Sequence, residues 1–275
     1  MDSHKPTTPP HWQARLALGF EQRNGKTVLA ERRQLGPLTV QRAFYPEGGL
    51  AHLYILHPPG GVVGGDELDI QVRCAPASEA LLTTPAAGKF YRSNGLAAKQ
   101  SIGLEIADGA SMEWLPQETL LFSAAQADLR LQVELGPHAR FIGWDMVCLG
   151  MPECGESFRQ GSALLRVRIN RQGQPLLVEN LQADHEFAQA VWGLRGNAVL
   201  GAMYAYPFPL SAMDAVRELW DNQTGFAATL LDGLLVCRGI AALAAELRTE
   251  FERVWRLIRP LVIGREACPP RIWAT

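Results

Sequence analysis

Hydrophobic and polar residues alternate in several segments of the chain. In DLRLQVEL, residues 128–135, apolar side chains occupy every second position, and charged or amide side chains occupy the positions between them. The segments ELDIQVRC (67–74), QSIGLEIA (100–107) and LLRVRIN (164–170) follow much the same pattern. A period of two predicts β-strands with one face in the core and the other in water.

A short turn and a more apolar segment follow each alternating segment. Turns such as APASEA, DGAS and GPHA lead into ALLTT, MEWL and RFIGWDMV, and RQGQ leads into PLLVENL. The alternating strands begin roughly thirty residues apart, a spacing typical of repeated supersecondary units. We therefore predict stacked hairpins that bury their apolar faces on one another, in a sandwich or a solenoid.

The last quarter of the chain has a different pattern. Ser211, with Asp214 three residues later, predicts a capped short helix that ends at Trp220. The segment GFAATLLDGLLVCRG predicts a hairpin that turns at Asp232 and Gly233.

A long helix is predicted over residues 240–259. Glu252 and Arg256 are spaced to form a surface ion pair, and Pro260 is expected to end the helix. The apolar residues that share one helix face are Leu243, Leu247, Phe251, Val254, Trp255 and Ile258. Such a face either covers the protein's own sheet or binds a partner. The fold is thus predicted to be mostly β, with two α-helices in its C-terminal part.

Composition indicates a globular protein. Of the 275 residues 47% are apolar and no linker divides the chain, so we expect one domain over 1–275, with a short flexible N-terminus at about 1–11. The net charge of −2 gives no basic field for nucleic acid, and no apolar run reaches the ~18 residues of a membrane span. We expect a cytoplasmic protein whose five cysteines are reduced.

The segment HPPGGVVGGDEL, residues 57–68, contains two pairs of glycines. Paired glycines suggest a phosphate-binding loop, but such a loop requires Lys and Ser or Thr after its last glycine. Asp66 and Glu67 follow here instead, and acids at this place repel phosphate. We therefore do not expect nucleotide binding. His57, before two prolines, is interpreted as a turn or strand-end residue.

No sequence motif identifies a catalytic nucleophile or a tight metal site. A GxSxG elbow is missing and the six histidines form no HExxH pair, although a triad built from distant residues stays open. Cys148 and Cys154 in CLGMPEC could meet across a loop and bind a soft metal. Two small residues beside a turn are the simpler explanation.

Carboxylates in apolar segments are a more informative signal. Asp145 lies in FIGWDMVCL and Glu179 in PLLVENL. A charge in such surroundings is unfavourable unless it is paired, solvated or used. Hard divalent cations bind these oxygens, and nickel accepts them together with His nitrogens. Taken singly, each acid is better explained as an outward-facing or turn-capping residue.

Five long segments occur in fixed order between residue 57 and the C-terminus: HPPGGVVGGDEL, TTPAAGKFYRS, EWLPQETLLF, WDMVCLGMPECGESF and GREACPPRIWAT. GPLTVQR and YPEG precede them. Together these segments resemble the urease accessory protein family UreD, called UreH in some organisms. The resemblance covers nearly the whole chain and implies a superhelical, solenoid-like stack of β-strands and hairpins with two C-terminal α-helices.

The resemblance implies a protein that is not an enzyme. UreD proteins help to assemble the nickel metallocentre of urease, in a complex with the accessory proteins UreF and UreG on the urease apoprotein. A dimer within that complex is compatible with the resemblance. UreG is the GTPase of the system, in agreement with the missing phosphate-binding loop here. No tightly bound cofactor is expected, only transient Ni²⁺.

The resemblance also implies site residues. In the family, nickel is thought to travel through an internal water-filled passage, where weak oxygen ligands would let the ion move on. The candidate metal residues are Asp66, Glu67, Asp145 and Glu179. The candidate partner-binding residues are Phe251, Trp255, Arg271 and Trp273.

Two other functions are compatible with the sequence. In the first, Asp66, Asp145 and Glu179 together form the site of a β-rich metal-dependent hydrolase, which predicts tight metal binding by the isolated protein. In the second, the protein is a scaffold that holds apo-urease open, which predicts that carboxylate variants still activate urease.

Overall fold

The protein is mostly β, with 49% of its residues in strands and 15% in helices. We describe residues 12–274 of a computed structural model, so the expected flexible N-terminus at about 1–11 lies outside the described residues. The strands are β1 (Gln13–Arg23), β2 (Lys26–Leu35), β3 (Thr39–Val40), β4 (Ala51–Leu56), β5 (Glu67–Cys74), β6 (Glu79–Thr83), β7 (Gly88–Phe90), β8 (Ala98–Ile106), β9 (Ser111–Trp114), β10 (Thr119–Leu121), β11 (Gln126–Leu135), β12 (Arg140–Met151), β13 (Glu156–Ser157), β14 (Ser162–Arg171), β15 (Gln174–Asp184), β16 (Val199–Tyr206), β17 (Phe226–Leu231) and β18 (Leu234–Ala241). The α-helices are α1 (His185–Gln189), α2 (Met213–Glu218) and α3 (Ala244–Val262), and short 3₁₀ helices cover Pro152–Cys154, Leu210–Ala212 and Arg271–Ala274.

Two sheets pack against each other. The seven-stranded sheet has the order β15-β14-β11-β8-β5-β1-β2. The eleven-stranded sheet follows the order β17-β18-β16-β12-β9-β6-β4-β3, with β7, β10 and β13 attached beside this path. Between β5 and β12 the chain alternates between the two sheets, so that each coil lays one strand on each of them.

This alternation builds a solenoid of about four turns, which confirms the predicted fold class. Strands β5, β8, β11 and β14 are parallel neighbours, as are β6, β9 and β12. The predicted hairpins that join β5, β8 and β11 to the next apolar strand are therefore wrong. The short turns are corners that carry the chain from one sheet to the other, and the hydrogen-bonding partner lies one coil away.

Two of the predicted hairpins are confirmed. Strands β14 and β15 pair antiparallel, with Arg171 opposite Gln174 at the turn. Strands β17 and β18 pair antiparallel around Asp232 and Gly233, which both have positive φ. A two-residue loop with positive φ at both positions fits the twist of paired strands, so Asp-Gly is a reliable hairpin signal.

The alternating side chains separate the core from solvent as predicted. The inward residues of β11 are all buried, whereas Arg130 and Gln132 point outward. A first apolar cluster fills the space between the two sheets. A second cluster lies between the eleven-stranded sheet and α3. None of the helices in the described part of the chain is long and apolar enough to cross a membrane.

The helices differ in detail from the prediction. Helix α3 extends past Pro260 to Val262, because a proline in the last turn removes only one backbone hydrogen bond. Glu252 pairs with Arg248, Nε to Oε1 3.0 Å, and not with Arg256. Before α2, Ser211 lies in a 3₁₀ turn, and no side chain caps that helix. The short α1 was not predicted.

The C-terminal segment packs on the protein itself. The Trp273 ring lies 5.5 Å from the rings of both Trp144 and Trp255, measured between centroids. Its indole Nε1 donates to Thr83 Oγ1 at 3.1 Å, and Arg248 stacks over the ring at 5.1 Å. The C-terminal segment is therefore docked on the protein's own fold.

Candidate functional site

A cavity of about 450 Å³ lies between the two sheets, where β8, β11, β14 and β15 face β12, β16 and β18. Most of its lining is apolar, including Ile102, Leu131, Val147, Val167, Leu181 and Leu200. The polar groups of its lining include Gln100, Thr119, Asp145, Glu179, Tyr204 and Arg238. An apolar cavity with a few converging polar groups is the usual form of a binding site.

Asp145 and Glu179 reach this cavity from opposite walls. On β12 the residues alternate, so that Trp144 and Met146 pack in the cluster beneath α3, whereas Asp145 faces the seven-stranded sheet. Burial raises the pKa of Asp145 to about 7, and the indole N–H of Trp114 offsets part of this shift. Near neutral pH this carboxyl group therefore exists in both protonation states.

Arg238 is the cationic partner in the cavity. Asp145, Ala202 and Arg238 are aligned across the neighbouring strands β12, β16 and β18. The Arg238 guanidinium makes an ion pair with Glu179 of β15, which connects the two sheets. Buried Tyr204 lies on the same wall, and burial followed by the charges of Glu179 and Asp145 raises the pKa of its hydroxyl.

Asp66 has a structural role in the glycine-rich loop. One carboxylate oxygen accepts the backbone N–H of Trp12 and the other that of Val63, both at 3.0 Å. Gly61 and Gly64 are needed here, because a Cβ on Gly61 would lie 2.8 Å from the Lys89 carbonyl oxygen and one on Gly64 would lie 2.6 Å from the Leu96 carbonyl oxygen. The paired glycines therefore let the loop approach the next segment closely.

Asp66 also lines a second, smaller cavity of about 370 Å³ beneath this loop, together with His57. Burial lowers the pKa of His57, and the Asp66 charge partly opposes that shift. This second cavity reaches Leu68, and the inter-sheet cavity reaches Gln100. Leu68 and Gln100 are direct neighbours on β5 and β8, so the linings of the two cavities meet at this pair.

Glu67 does not line either cavity. It alternates with the buried Leu68 and therefore lies on the outer face of the seven-stranded sheet. There it pairs with Lys99, Nζ to Oε1 2.8 Å, and this hydrogen bond and charge lower the pKa of the Glu67 carboxyl. The expectation that Glu67 lines an internal passage disagrees with this position, since the period of two sends neighbouring residues to opposite faces.

The predicted metal residues therefore do not form one cluster. Asp145 and Glu179 share a cavity, Asp66 lies in the next one, and Glu67 is outside. Within residues 12–274 no group of three His, Cys, Asp or Glu side chains could hold a metal ion. The carboxylates are therefore divided between two cavities and are not clustered, an arrangement that suits weak binding of a cation better than a hydrolytic metal centre.

Cys148 and two of the predicted partner-binding residues, Phe251 and Trp255, are part of the protein's own core. Cys148 is buried, with its thiol directed at the Gly150 carbonyl oxygen 3.6 Å away, whereas Cys154 is exposed. Phe251 and Trp255 are completely buried against the eleven-stranded sheet. The helix face thus covers the protein's own sheet, and a partner could reach it only if α3 moved.

Trp273 is half-buried in the docked C-terminal segment, and Arg271 beside it is exposed. Of the four predicted partner-binding residues, Arg271 is the one whose side chain is freely accessible in this structure. Its role in partner binding stays a prediction.

Sequence reasoning missed a buried ionic network at the opposite face of the eleven-stranded sheet. Arg259 is completely buried and donates three hydrogen bonds to Glu113, at 2.9, 3.0 and 3.0 Å, and two to Glu47, at 2.6 and 2.7 Å. Glu113 also accepts the Trp255 indole N–H at 2.7 Å, and Glu47 lies 2.6 Å from His52 Nε2. The signals were present: Arg259 falls on the apolar stripe of α3, and Glu113 interrupts the apolar strand MEWL.

Comparison with known proteins agrees with the motifs. The model of the UreD urease accessory protein family matches residues 13–274. A urease accessory protein UreD from Alkalilimnicola ehrlichii is 42% identical over 97% of this chain and 92% of its own. One from Pseudomonas putida is 43% identical over 96% of this chain and 95% of its own. A UreD from Pseudomonas entomophila is 42% identical over 98% and 97% of the two chains. The chain belongs to the UreD family of urease accessory proteins.

Proposed function

We propose that this protein takes part in urease maturation by conducting Ni²⁺ through the cavity between its two sheets. The observation that carries the proposal is the pair Asp145 and Glu179, which reach a mostly apolar space inside a β-solenoid from opposite walls. A buried carboxylate such as Asp145 is unfavourable unless it is paired, solvated or used, and carboxylate oxygens are weaker ligands for nickel than imidazole or thiolate groups.

The proposed route runs from the cavity under the glycine loop to the inter-sheet cavity. Asp66 stands at the first cavity, Gln100 at the junction, and Asp145 with Glu179 in the second. Single carboxylates spaced along a path give an ion successive weak sites, so that it can enter and leave each one. A site with three or four ligands would trap the ion.

We further propose that the chain works as one domain, in the cytoplasm, within a complex that contains UreF, UreG and the urease apoprotein. The protein has no catalytic turnover of its own in this proposal, and nickel is its cargo. The net charge of −2 supports protein partners over nucleic acid, because no basic field is available to attract phosphates.

Co-expression of the urease operon with variants of this chain tests the proposal. Deletion of the chain is expected to leave urease without nickel. The double variant Asp145→Asn, Glu179→Gln is expected to reduce nickel loading at least tenfold, while UreF and apo-urease are still recovered with it in a pull-down. Urease activity and nickel content per active site are the measurements.

The matched control is Glu67→Gln, because this carboxylate lies on the outer face, where it forms an exposed ion pair with Lys99. It should load urease normally. Asp66→Asn is tested separately with a stability measurement, because Asp66 also holds its own loop. Normal loading with the double variant would refute nickel conduction and leave the scaffold function, and normal loading after deletion would refute the role in maturation.

A further inference from the structure

Arg238 is an unusual residue to find beside a route for cations. It projects from β18 into the space that Asp145 and Glu179 line, two strands away from Asp145 on the same sheet. Its side chain is 45% exposed and that of Glu179 is 32% exposed, so their ion pair lies where the cavity opens towards solvent. The permanent positive charge of the Arg238 side chain repels a divalent cation at this place.

Other arginines near the cavity are engaged elsewhere. Arg130 and Arg166 contribute to its lining, but their guanidinium groups pair with Asp128, at 2.8 and 3.5 Å. Arg195 donates from Nε to the Val191 carbonyl oxygen at 3.1 Å. Of the arginines that line the cavity in the described chain, Arg238 is thus the one seen to pair with a cavity carboxylate.

The Arg238 guanidinium occupies Glu179 in the way that a bound metal cation would. A guanidinium stays protonated throughout the physiological range, and it binds a carboxylate as a metal cation would. While Arg238 holds Glu179, an incoming ion must displace it to use both carboxylates. When the side chain returns, it recovers Glu179 and weakens the hold of the cavity on the ion.

We propose that Arg238 is a tethered competitor for Glu179 that prevents the inter-sheet cavity from retaining a divalent cation. The inference rests on the proposed function, because it assigns a release mechanism to the same cavity. Partially exposed ion pairs are weak, so Arg238 can leave and return quickly. Release then needs no change of fold.

The test is direct binding of Ni²⁺ to the full-length chain, measured by isothermal titration calorimetry. Wild-type protein is expected to bind weakly, and Arg238→Gln at least about tenfold more tightly, because a positive charge beside the ion is removed. Arg238→Lys, which keeps the charge, should bind like wild type. Combining Arg238→Gln with Glu179→Gln should abolish the gain.

The matched control is Arg73→Gln, which breaks an ion pair with Glu105 on the outer face of the same protein, Nε to Oε2 2.9 Å. Nickel affinity should not change in this variant. If Arg238→Gln does not fold, Arg238→Met suits the apolar lining and gives the same test. Unchanged or weaker nickel binding in a folded Arg238 variant would overturn the proposal.

The nickel titration and the urease assay test two hypotheses that can be refuted independently. If deletion of the chain leaves urease loaded but Arg238→Gln still tightens nickel binding, the competitor role stands as a property of the cavity and the proposed function fails. If nickel affinity is unchanged in Arg238→Gln while the carboxylate variants block loading, conduction stands and the competitor role fails.

Discussion

Buried charged residues also occur outside the inter-sheet cavity, on the side of the eleven-stranded sheet that faces α3. Arg259 has no exposed surface, yet its guanidinium is fully used by the Glu113 and Glu47 carboxylates, with a further bond to the Glu266 carbonyl oxygen. A buried ion pair adds little compared with an apolar core, but removal of one partner leaves an unpaired charge. The network connects α3 to the turn before β4 and to β9.

The pKa of Glu47 makes this network testable. Burial raises that pKa, but hydrogen bonds from His52 and Arg259 outweigh burial and lower it to about 2. Because the pKa is lower in the folded than in the unfolded state, the stabilisation is complete above about pH 4.5 and is lost as the pH falls towards 2. Glu47→Gln should therefore lower the free energy of unfolding by roughly 2–4 kcal/mol at pH 7 and by much less at pH 3.

Urea denaturation at the two pH values measures this difference. Glu105→Gln is the control, because its carboxylate forms an exposed pair with Arg73 and should change stability by less than about 0.5 kcal/mol. Equal losses for Glu47→Gln at both pH values would show that the Glu47 charge is not what stabilises the fold.

At the same scale, the sequence located some site residues and not others. Asp145 and Glu179 could be singled out because they interrupt apolar strands, and the structure places both in one cavity. Arg238 could not, since its neighbours in LLVCRG show no partner and Glu179 lies 59 residues away. A pair of side chains from two different sheets can be recognised in the structure but not from the residues next to either of them in sequence.

At the level of elements, periodicity predicted the strands well and their partners poorly. The alternating segments correspond to β5, β8, β11 and β14 because burial on one side requires a period of two. The same period is compatible with a hairpin or with a corner between two sheets. Only the roughly thirty-residue spacing indicated coils. When each coil contributes one strand to a sheet, the strands of successive coils run in the same direction and pair in parallel.

The C-terminal segment behaves as an element that stabilises α3 from outside. Trp273→Ala removes two ring contacts and the hydrogen bond to Thr83, and should lower the free energy of unfolding by about 2–3 kcal/mol. Amide hydrogen exchange should become faster over residues 265–274, while β5 and β8 stay protected. Arg271→Ala, at an exposed position in the same 3₁₀ turn, should leave both measurements unchanged. Unchanged exchange in Trp273→Ala would mean that polar contacts hold the segment, namely those of Arg265 with Glu79, at 2.5 Å, and of Arg259 with the Glu266 carbonyl oxygen.

For the molecule as a whole, the space between the sheets is the feature that sequence could not predict. One apolar cluster fills most of the gap, but the half that faces β16 and β18 carries Ala202 where a larger side chain would fit. Most of the space between the two sheets is close-packed, and the cavity of about 450 Å³ interrupts this packing and opens towards solvent beside Arg238 and Glu179. A partly open, mostly apolar cavity with a few polar groups is a usual place for a ligand to bind.

A substitution that fills the cavity distinguishes nickel conduction from a scaffold function. Ala202→Phe places a ring between Asp145 and Arg238 without removing either, so it should block a path for nickel and leave the outer surface intact. We expect nickel content of co-expressed urease to fall at least tenfold, thermal stability to stay equal or rise, and recovery of UreF and apo-urease to be unchanged. Ala17→Phe, on the outer face of β1, is the control and should load nickel normally. A scaffold would tolerate both changes, so normal urease in a folded Ala202→Phe protein would place the path of the ion outside this cavity.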